Sequence, residues 1–240
     1  VDGLMEILFG CPSGILHCLH HNGSLFWQVD TGNDAEVPPA VGDFDEDGSP
    51  EVVIANHNGR VYCYDSNGDY LWDAYIGGEI TNAGFGIGDM DKDGHLEIVI
   101  GNWDGNIYCL HHNGSSRWSV STGGWIDISS AALVDIDEDG ELEAIIGSAD
   151  DKLRCLDYDG NEEWSYQTSG DIRSSPMIGD IDGDGTKDVL VGSRDENLYC
   201  ISSEGQLQWT FDLQGDSWVA PCIADLDQDE VVEILIAGYS

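Results

Sequence analysis

The chain has 240 residues, 41% of them hydrophobic, with 31 glycines and 6 prolines, a composition that suits one large all-β domain with many tight turns. Its formal charge of -39, from 47 acidic and 8 basic residues, repels nucleic-acid phosphates and the anionic face of a membrane. No apolar run approaches the ~18 residues a spanning helix needs, so neither nucleic acid nor membrane insertion is expected.

In chain order the sequence falls into units of about 45 residues, approximately 1–35, 36–81, 82–127, 128–172, 173–217 and 218–240, the first and last partial. Acidic loops begin at Asp43, Asp89, Asp135, Asp180 and Asp225. Cysteines at 18, 63, 109, 155 and 200 and tryptophans at 27, 72, 118, 164 and 209 keep the same beat, and such a period marks a repeat architecture. The first unit opens on Asp2-Gly3-Leu4-Met5-Glu6-Ile7, which matches 93–98, so it lacks the first strand of the pattern. The opening residues carry no signal-peptide pattern, so an export segment is expected to have been removed or to lie upstream.

The third unit shows the pattern whole. Residues 83–89 form a small-residue strand, 97–101 an apolar strand, 106–110 an alternating strand and 116–120 a strand carrying the in-phase tryptophan. The acidic loop joins the first strand to the second, and His112-Asn113-Gly114 reads as a primed hairpin turn between the third and fourth. Four antiparallel strands repeated in series predict an all-β fold, a β-propeller whose blades bury their faces against each other. The last unit supplies a first strand and a surplus second strand. Two arrangements stay open: a closed five-blade ring, or an arc of a six- to eight-blade ring in a longer chain.

Calcium takes six to eight oxygen ligands, and a loop with carboxylates at alternate positions can wrap one ion. The five loops offer Asp43, Asp45, Asp47 and Glu51; Asp89, Asp91, Asp93 and Glu97; Asp135, Asp137, Asp139 and Glu143; Asp180, Asp182, Asp184 and Asp188; and Asp225, Asp227, Asp229 and Glu233, at positions 1, 3, 5 and 9. Glycine stands at position 6 in four loops and Glu230 in the last. An EF-hand would need Glu at position 12, where Ile54, Ile100, Ile146, Val191 and Ile236 stand. Asp/Gly turns can also cap backbone N–H groups without a metal, but four carboxylates converging in one loop repel each other and call for a cation. Four to five Ca2+ ions are expected.

The stretch from Asn82 to Gly101 resembles the FG-GAP or VCBS repeat of integrin alpha chains and related bacterial propellers, and the third and fourth strands, as in Gly59 to Asp65 with Gly68 and Trp72, are similar to PQQ-like propeller repeats. The resemblance implies calcium in the acidic loops. Glu rather than Asp at position 9 in four loops departs from that family's pattern.

The in-phase cysteines occupy one position per blade, too far apart to pair within the ~7 Å limit between Cα atoms, and read as buried apolar residues. Cys11 and Cys222 fall out of phase, which leaves a closing disulfide open. In-phase tryptophans are expected between blades. Three others, Trp103, Trp125 and Trp218, lie in loops on the face opposite the acidic loops, together with His57, Asp127, Arg173 and Arg194. These seven form the candidate ligand-binding set.

The function expected is a calcium-stabilised recognition or adhesion module, extracellular or at the cell surface, binding a protein or glycan. The alternatives are a lectin, a polysaccharide lyase on a calcium propeller, or a quinone-dependent dehydrogenase. No G-x-S-x-G, H-E-x-x-H or adjacent cysteine pair is present, so a non-enzymatic role leads.

Overall fold

The computed structural model describes residues 5–229 and 231–239; the 2–4 segment of the N-terminal motif match and Glu230 lie outside the described residues. The secondary structure is strand and turn, arranged in consecutive small antiparallel sheets. Blade I holds β1 (Ile7–Gly10), β2 (Ile15–Leu19) and β3 (Leu25–Asp30). Blade II holds β4 (Ala40–Gly42), β5 (Glu51–Asn56), β6 (Arg60–Tyr64) and β7 (Tyr70–Tyr75). Blade III holds β8 (Gly86–Gly88), β9 (Glu97–Gly101), β10 (Asn106–Leu110) and β11 (Ser116–Ser121). Blade IV holds β12 (Ala132–Val134), β13 (Glu143–Gly147), β14 (Lys152–Leu156) and β15 (Glu162–Gln167). Blade V holds β16 (Met177–Gly179), β17 (Asp188–Gly192), β18 (Asn197–Ser202) and β19 (Leu207–Asp212), and blade VI holds β20 (Cys222–Ala224) and β21 (Glu233–Leu235). The architecture is the propeller type expected from the repeat. Strand pairing does not close a ring among the described residues: β20 pairs with β21 and not with β1.

Burial follows strand position. The second strand of blades II to V is buried on both faces, whereas the fourth is half-buried or exposed throughout. The first strands β8, β12, β16 and β20 neighbour one another in succession and so form the inner rim. The core is a series of layers between blades: Val53, Ala55 and Val61 of blade II meet Ile98 and Ile100 of blade III, and Ile145 and Leu153 of blade IV meet Val189 and Val191 of blade V. Each blade is thus stabilised by its neighbours.

The first strands are shorter than the expected 83–89. Their leading residues bond to the next blade instead: Gly84 N–H donates to Ser130 Oγ at 2.8 Å, and Ser130 N–H to Ser175 Oγ at 2.9 Å. The hairpin turns also differ from the expected primed type. Only the glycine has positive φ, Gly114 at 79°; its N–H donates to His111 O at 2.9 Å, and His111 N–H to Ser115 O at 2.9 Å. This is a type I turn closed by a left-handed glycine, and the register shifts beside it, between Cys109 and Leu110.

The in-phase tryptophans lie between blades as expected. Four of the five rings cover the turn glycine of the next blade, Trp27 on Gly68, Trp72 on Gly114, Trp118 on Gly160 and Trp164 on Gly205, and a Cβ on Gly160 would stand 2.7 Å from the Trp118 ring; Trp209 packs in a cluster with Ile234 and Ile236. Trp118 Nε1–H donates to Tyr158 O at 2.9 Å in the same turn. All seven cysteines are free, so Cys11 and Cys222 form no disulfide, and the five in-phase thiols are buried. Burial pushes the thiols of Cys63 and Cys109 up to about 12.

Gly23 occupies the same turn position in blade I, also at positive φ, with open space where a Cβ would go. Gly160→Ala should therefore lower stability by about 2–4 kcal/mol, combining left-handed strain with overpacking, and Gly23→Ala by only about 1 kcal/mol. Urea unfolding of the two variants checks the difference; equal losses would contradict the packing role of the tryptophan.

Candidate metal centres and the opposite face

Every acidic loop begins just after the first strand of a blade and ends on the first residue of the second. Position 4 is left-handed in all five, at Glu46, Lys92, Glu138, Gly183 and Gln228, and the position-6 glycines Gly48, Gly94, Gly140 and Gly185 have φ of 89–95°. Two left-handed residues so close together curl the backbone and turn alternate carboxylates inward. The apolar residue at position 2 anchors the loop from beneath, and Phe44, Met90 and Ile136 are buried.

The position-9 carboxylate ties the loop shut. One oxygen of Glu51, Glu97, Glu143, Asp188 and Glu233 accepts from the position-2 N–H, at 2.9, 3.0, 2.8, 3.1 and 2.7 Å respectively. Glu51, Glu97, Glu143 and Asp188 are buried. They gather with the carboxylates of positions 1 and 3: the groups Asp43, Asp45, Glu51; Asp89, Asp91, Glu97; Asp135, Asp137, Glu143; and Asp180, Asp182, Asp188 each place one oxygen per residue within 4.8 Å of the others. The second oxygen of Asp188 also accepts from Gln208 Nε2 at 2.6 Å. Buried Oδ1 atoms of Asp43, Asp89 and Asp135 have no hydrogen-bond partner, nor does Glu97 Oε1; His111 Nδ1 stands 3.4 Å from the last. Unpartnered buried oxygens facing other carboxylates fit a cation made for oxygen ligands.

The position-5 aspartates are placed differently. Oδ1 of Asp47, Asp93, Asp139 and Asp184 accepts from the position-7 N–H at 2.8 Å in each case, an Asx turn, and these residues stand outside the three-residue groups. In the fifth loop Asp229 Oδ1 accepts from Val231 N–H at 2.9 Å and Asp225 Oδ1 from Gln228 N–H at 2.6 Å; Asp225, Asp227 and Asp229 are exposed.

Electrostatics agree with the geometry. Burial raises the carboxyls of Glu51, Glu97 and Asp188 above the usual range, and Glu143 rises to about 7, first through burial and then through Glu163, Asp137 and Asp139. The loops also touch each other, with Leu96 N–H donating to Phe44 O at 3.3 Å and Lys187 Nζ to Asp135 O at 2.9 Å. Arg117, largely buried, pairs with Asp91.

The opposite face is held by a backbone contact repeated in blades II to VI. The residue at the turn between second and third strands donates its N–H to a carbonyl in the preceding connection: His57 to Asp34, Trp103 to Glu79, Ala149 to Trp125, Arg194 to Asp171 and Tyr239 to Asp216, at 2.7–3.0 Å. The scaffold is constant and the side chains vary. Trp103 stacks on Trp125 with centroids 5.1 Å apart. The Arg173 guanidinium lies 4.1 Å from the Trp125 ring centroid and 5.2 Å from that of Trp218. Arg194 lies 5.9 Å from Trp218, which stacks at 6.0 Å on Tyr239.

Six of the seven candidate ligand residues therefore converge. Asp127 Oδ1 accepts from Thr81 Oγ1 at 2.6 Å, and Thr81 Oγ1 accepts from Trp103 Nε1 at 2.8 Å. His57 stands apart, with Nδ1 3.7 Å from Asp34 and 3.6 Å from Glu79, and its potential donors join Asp34 and Glu36 in a separate group. Sequence reasoning missed Tyr239 and Thr81. Tyr239 was findable, since it follows Arg194 by one repeat.

An FG-GAP-like repeat model matches four overlapping stretches, 43–100, 89–146, 135–191 and 180–236. No curated protein shows a significant sequence match. Among solved structures, the V. cholerae biofilm matrix protein Bap1 superposes with a TM-score of 0.74 at 19% identity, over 93% of this chain and 39% of that one. BamB from Moraxella catarrhalis gives 0.67 at 20%, over 92% and 64%. BBS1N from its complex with ARL6DN gives 0.68 at 14%, over 98% and 72%. The chain thus spans well under half the length of the first of these and just under two thirds of the second. At such identities the likeness is one of fold.

Glu143→Gln keeps the acceptor for Ile136 N–H and removes a buried charge. A carboxyl held above its unfolded value opposes folding once ionised, so metal-free stability falls as pH rises from the ordinary glutamate range through about 7. In chelator at pH 8 the variant should be more stable than the parent by about 1–3 kcal/mol, with a flatter pH dependence. Denaturant midpoints at pH 5.5 and 8 check this; a less stable variant would contradict it.

Proposed function

The chain belongs to the FG-GAP-like repeat family, and on that premise we propose that it is a calcium-stabilised recognition module that presents its aromatic and arginine-bearing face to a protein or glycan outside the cell. The observation that carries the reading is the division of labour between the two ends of the blades. One end repeats an oxygen-rich pocket with unpartnered buried carboxylate oxygens. The other keeps its backbone constant and varies its side chains.

Calcium is favoured over magnesium because the donors are carboxylates and carbonyls on a curled loop, suited to a large ion with six to eight ligands, whereas Mg2+ holds near-ideal octahedral geometry and retains water. About one ion per complete loop, four to five in all, would neutralise the buried charge. In the proposed site, positions 1, 3 and 9 supply the innermost carboxylates, and position 5 contributes through the oxygen its Asx turn leaves. Loops of this kind fill at calcium concentrations found outside cells, and the name of one structural neighbour, a biofilm matrix protein, supports an extracellular setting. The free cysteines are compatible with it, since five are buried in separate blades.

Calorimetric titration of the metal-free chain with CaCl2 should show uptake at four or five sites and a rise in melting temperature. Arrays of surface proteins and glycans, probed with and without chelator, should show binding that calcium strengthens and Trp218→Ala weakens. Absence of calcium uptake near millimolar concentration would sink the metal assignment, and binding indifferent to Trp218 would sink the choice of face.

A further inference from the structure

The stacked rings on the variable face bear on the chemistry of the ligand. Trp103 is 43% exposed, Trp218 40% and Tyr239 75%, large apolar areas for a soluble surface. The fold does not require them: Trp103 and Tyr239 share their loop position with His57, Ala149 and Arg194, and Trp218 shares its position with Glu36, Thr81, Asp127 and Arg173. They are nonetheless fixed. Trp103 is held through its Nε1–H by Thr81, with Asp127 Oδ1 at 3.3 Å, and Trp218 lies between Arg173 and Tyr239. Rigid, exposed aromatic planes bind at low entropic cost.

The charges around the rings are already matched. Arg194 Nε donates to Asp216 Oδ2 and Nη1 to Asp171 Oδ2, both at 3.2 Å. Arg173 lies between Asp127 at 3.8 Å and Asp171 at 3.7 Å, with its Nε–H buried and unbonded. Among the described residues of this face no free cluster of cations awaits a polyanion, and the net charge of -39 repels one. What remains is a row of flat apolar planes edged by paired acceptors and donors. A pyranose ring has that complement, an apolar C–H face bordered by hydroxyls that both donate and accept.

We propose that this row binds an uncharged oligosaccharide, with sugar rings stacked on Trp103 and Trp218 and hydroxyls exchanging hydrogen bonds with the Asp–Arg pairs. The proposal rests on the recognition reading above and narrows its ligand. The row crosses blades III to VI, so the site suits several linked sugars.

The test is titration of the full calcium-loaded chain, by tryptophan fluorescence and calorimetry. The probes are a panel of neutral pentasaccharides (β-glucan, β-galactan, α-mannan and β-xylan), an oligogalacturonate of equal length, and an arginine-glycine-aspartate peptide. At least one neutral saccharide should bind, with affinity changing less than about twofold between roughly 0.05 and 0.5 M NaCl. Trp218→Ala and Trp103→Ala should each weaken it about tenfold or more while calcium uptake stays unchanged. No binding by any neutral saccharide, preference for oligogalacturonate with steep salt dependence, or wild-type affinity in both variants would overturn the proposal. Peptide binding lost in Trp218→Ala would overturn the saccharide assignment and leave the recognition reading standing; variants that alter no binding would overturn both.

Discussion

In blades II to V the carboxylate that begins the second strand is buried against two other carboxylates, and the rest of the structure is arranged around that repulsion. Glu97 has no exposed surface, and one of its oxygens is spent on the Met90 N–H, which fixes the loop. Its other oxygen is buried without a hydrogen-bond partner, and the carboxylate gathers with Asp89 and Asp91. Such a cluster is unfavourable on its own, and under the proposed function a cation would relieve it, so that the metal would act as part of the fold. The loop shape, with left-handed residues at positions 4 and 6, suits a cradle for that cation and also lets the position-1 carboxylate accept from the position-6 N–H, as Asp89 does from Gly94 at 3.1 Å.

From that constraint the two ends of the blades acquire different duties. Acidic loops touch along one rim, Leu96 on Phe44 and Lys187 on Asp135, so neighbouring loops hold each other. Between blades the tryptophan-on-glycine contact recurs four times, and the core lies in those interfaces. A scaffold tied in this way leaves the other end free to change its side chains, because in each of blades II to VI one backbone hydrogen bond holds the turn in place. Arg173 between Trp125 and Trp218 is the clearest product of that freedom.

Most of the fold was legible in the sequence because its information is periodic. Cysteine, tryptophan and the acidic motif recur in phase, and each marks a different layer: the buried third strand, the interface and the loop. The length of the first strands was not legible, since Gly84 and Ser130 choose partners in the next blade. Nor was the separate place of Asp93, which a local bond to His95 N–H decides. On the opposite face the residue types were visible but their stacking was not, because Trp125, Arg173 and Trp218 come from three successive connections. Asp127, Arg173 and Trp218 do share one repeat position, a signal that anticipates their adjacency. The turn type was misjudged because Asn113-Gly114 suits both a primed turn and a type I turn with a bulge; only φ separates them.

The central claim, that a divalent cation completes the buried carboxylate clusters, is tested most directly by amide hydrogen exchange with calcium and with chelator. The account predicts that calcium slows exchange together at Phe44, Met90, Ile136 and Ile181, whose N–H groups bond the position-9 carboxylates. Amides of the opposite face, such as Trp103 and Arg194, should change far less. Equal exchange at the four loop amides in calcium and in chelator would contradict it.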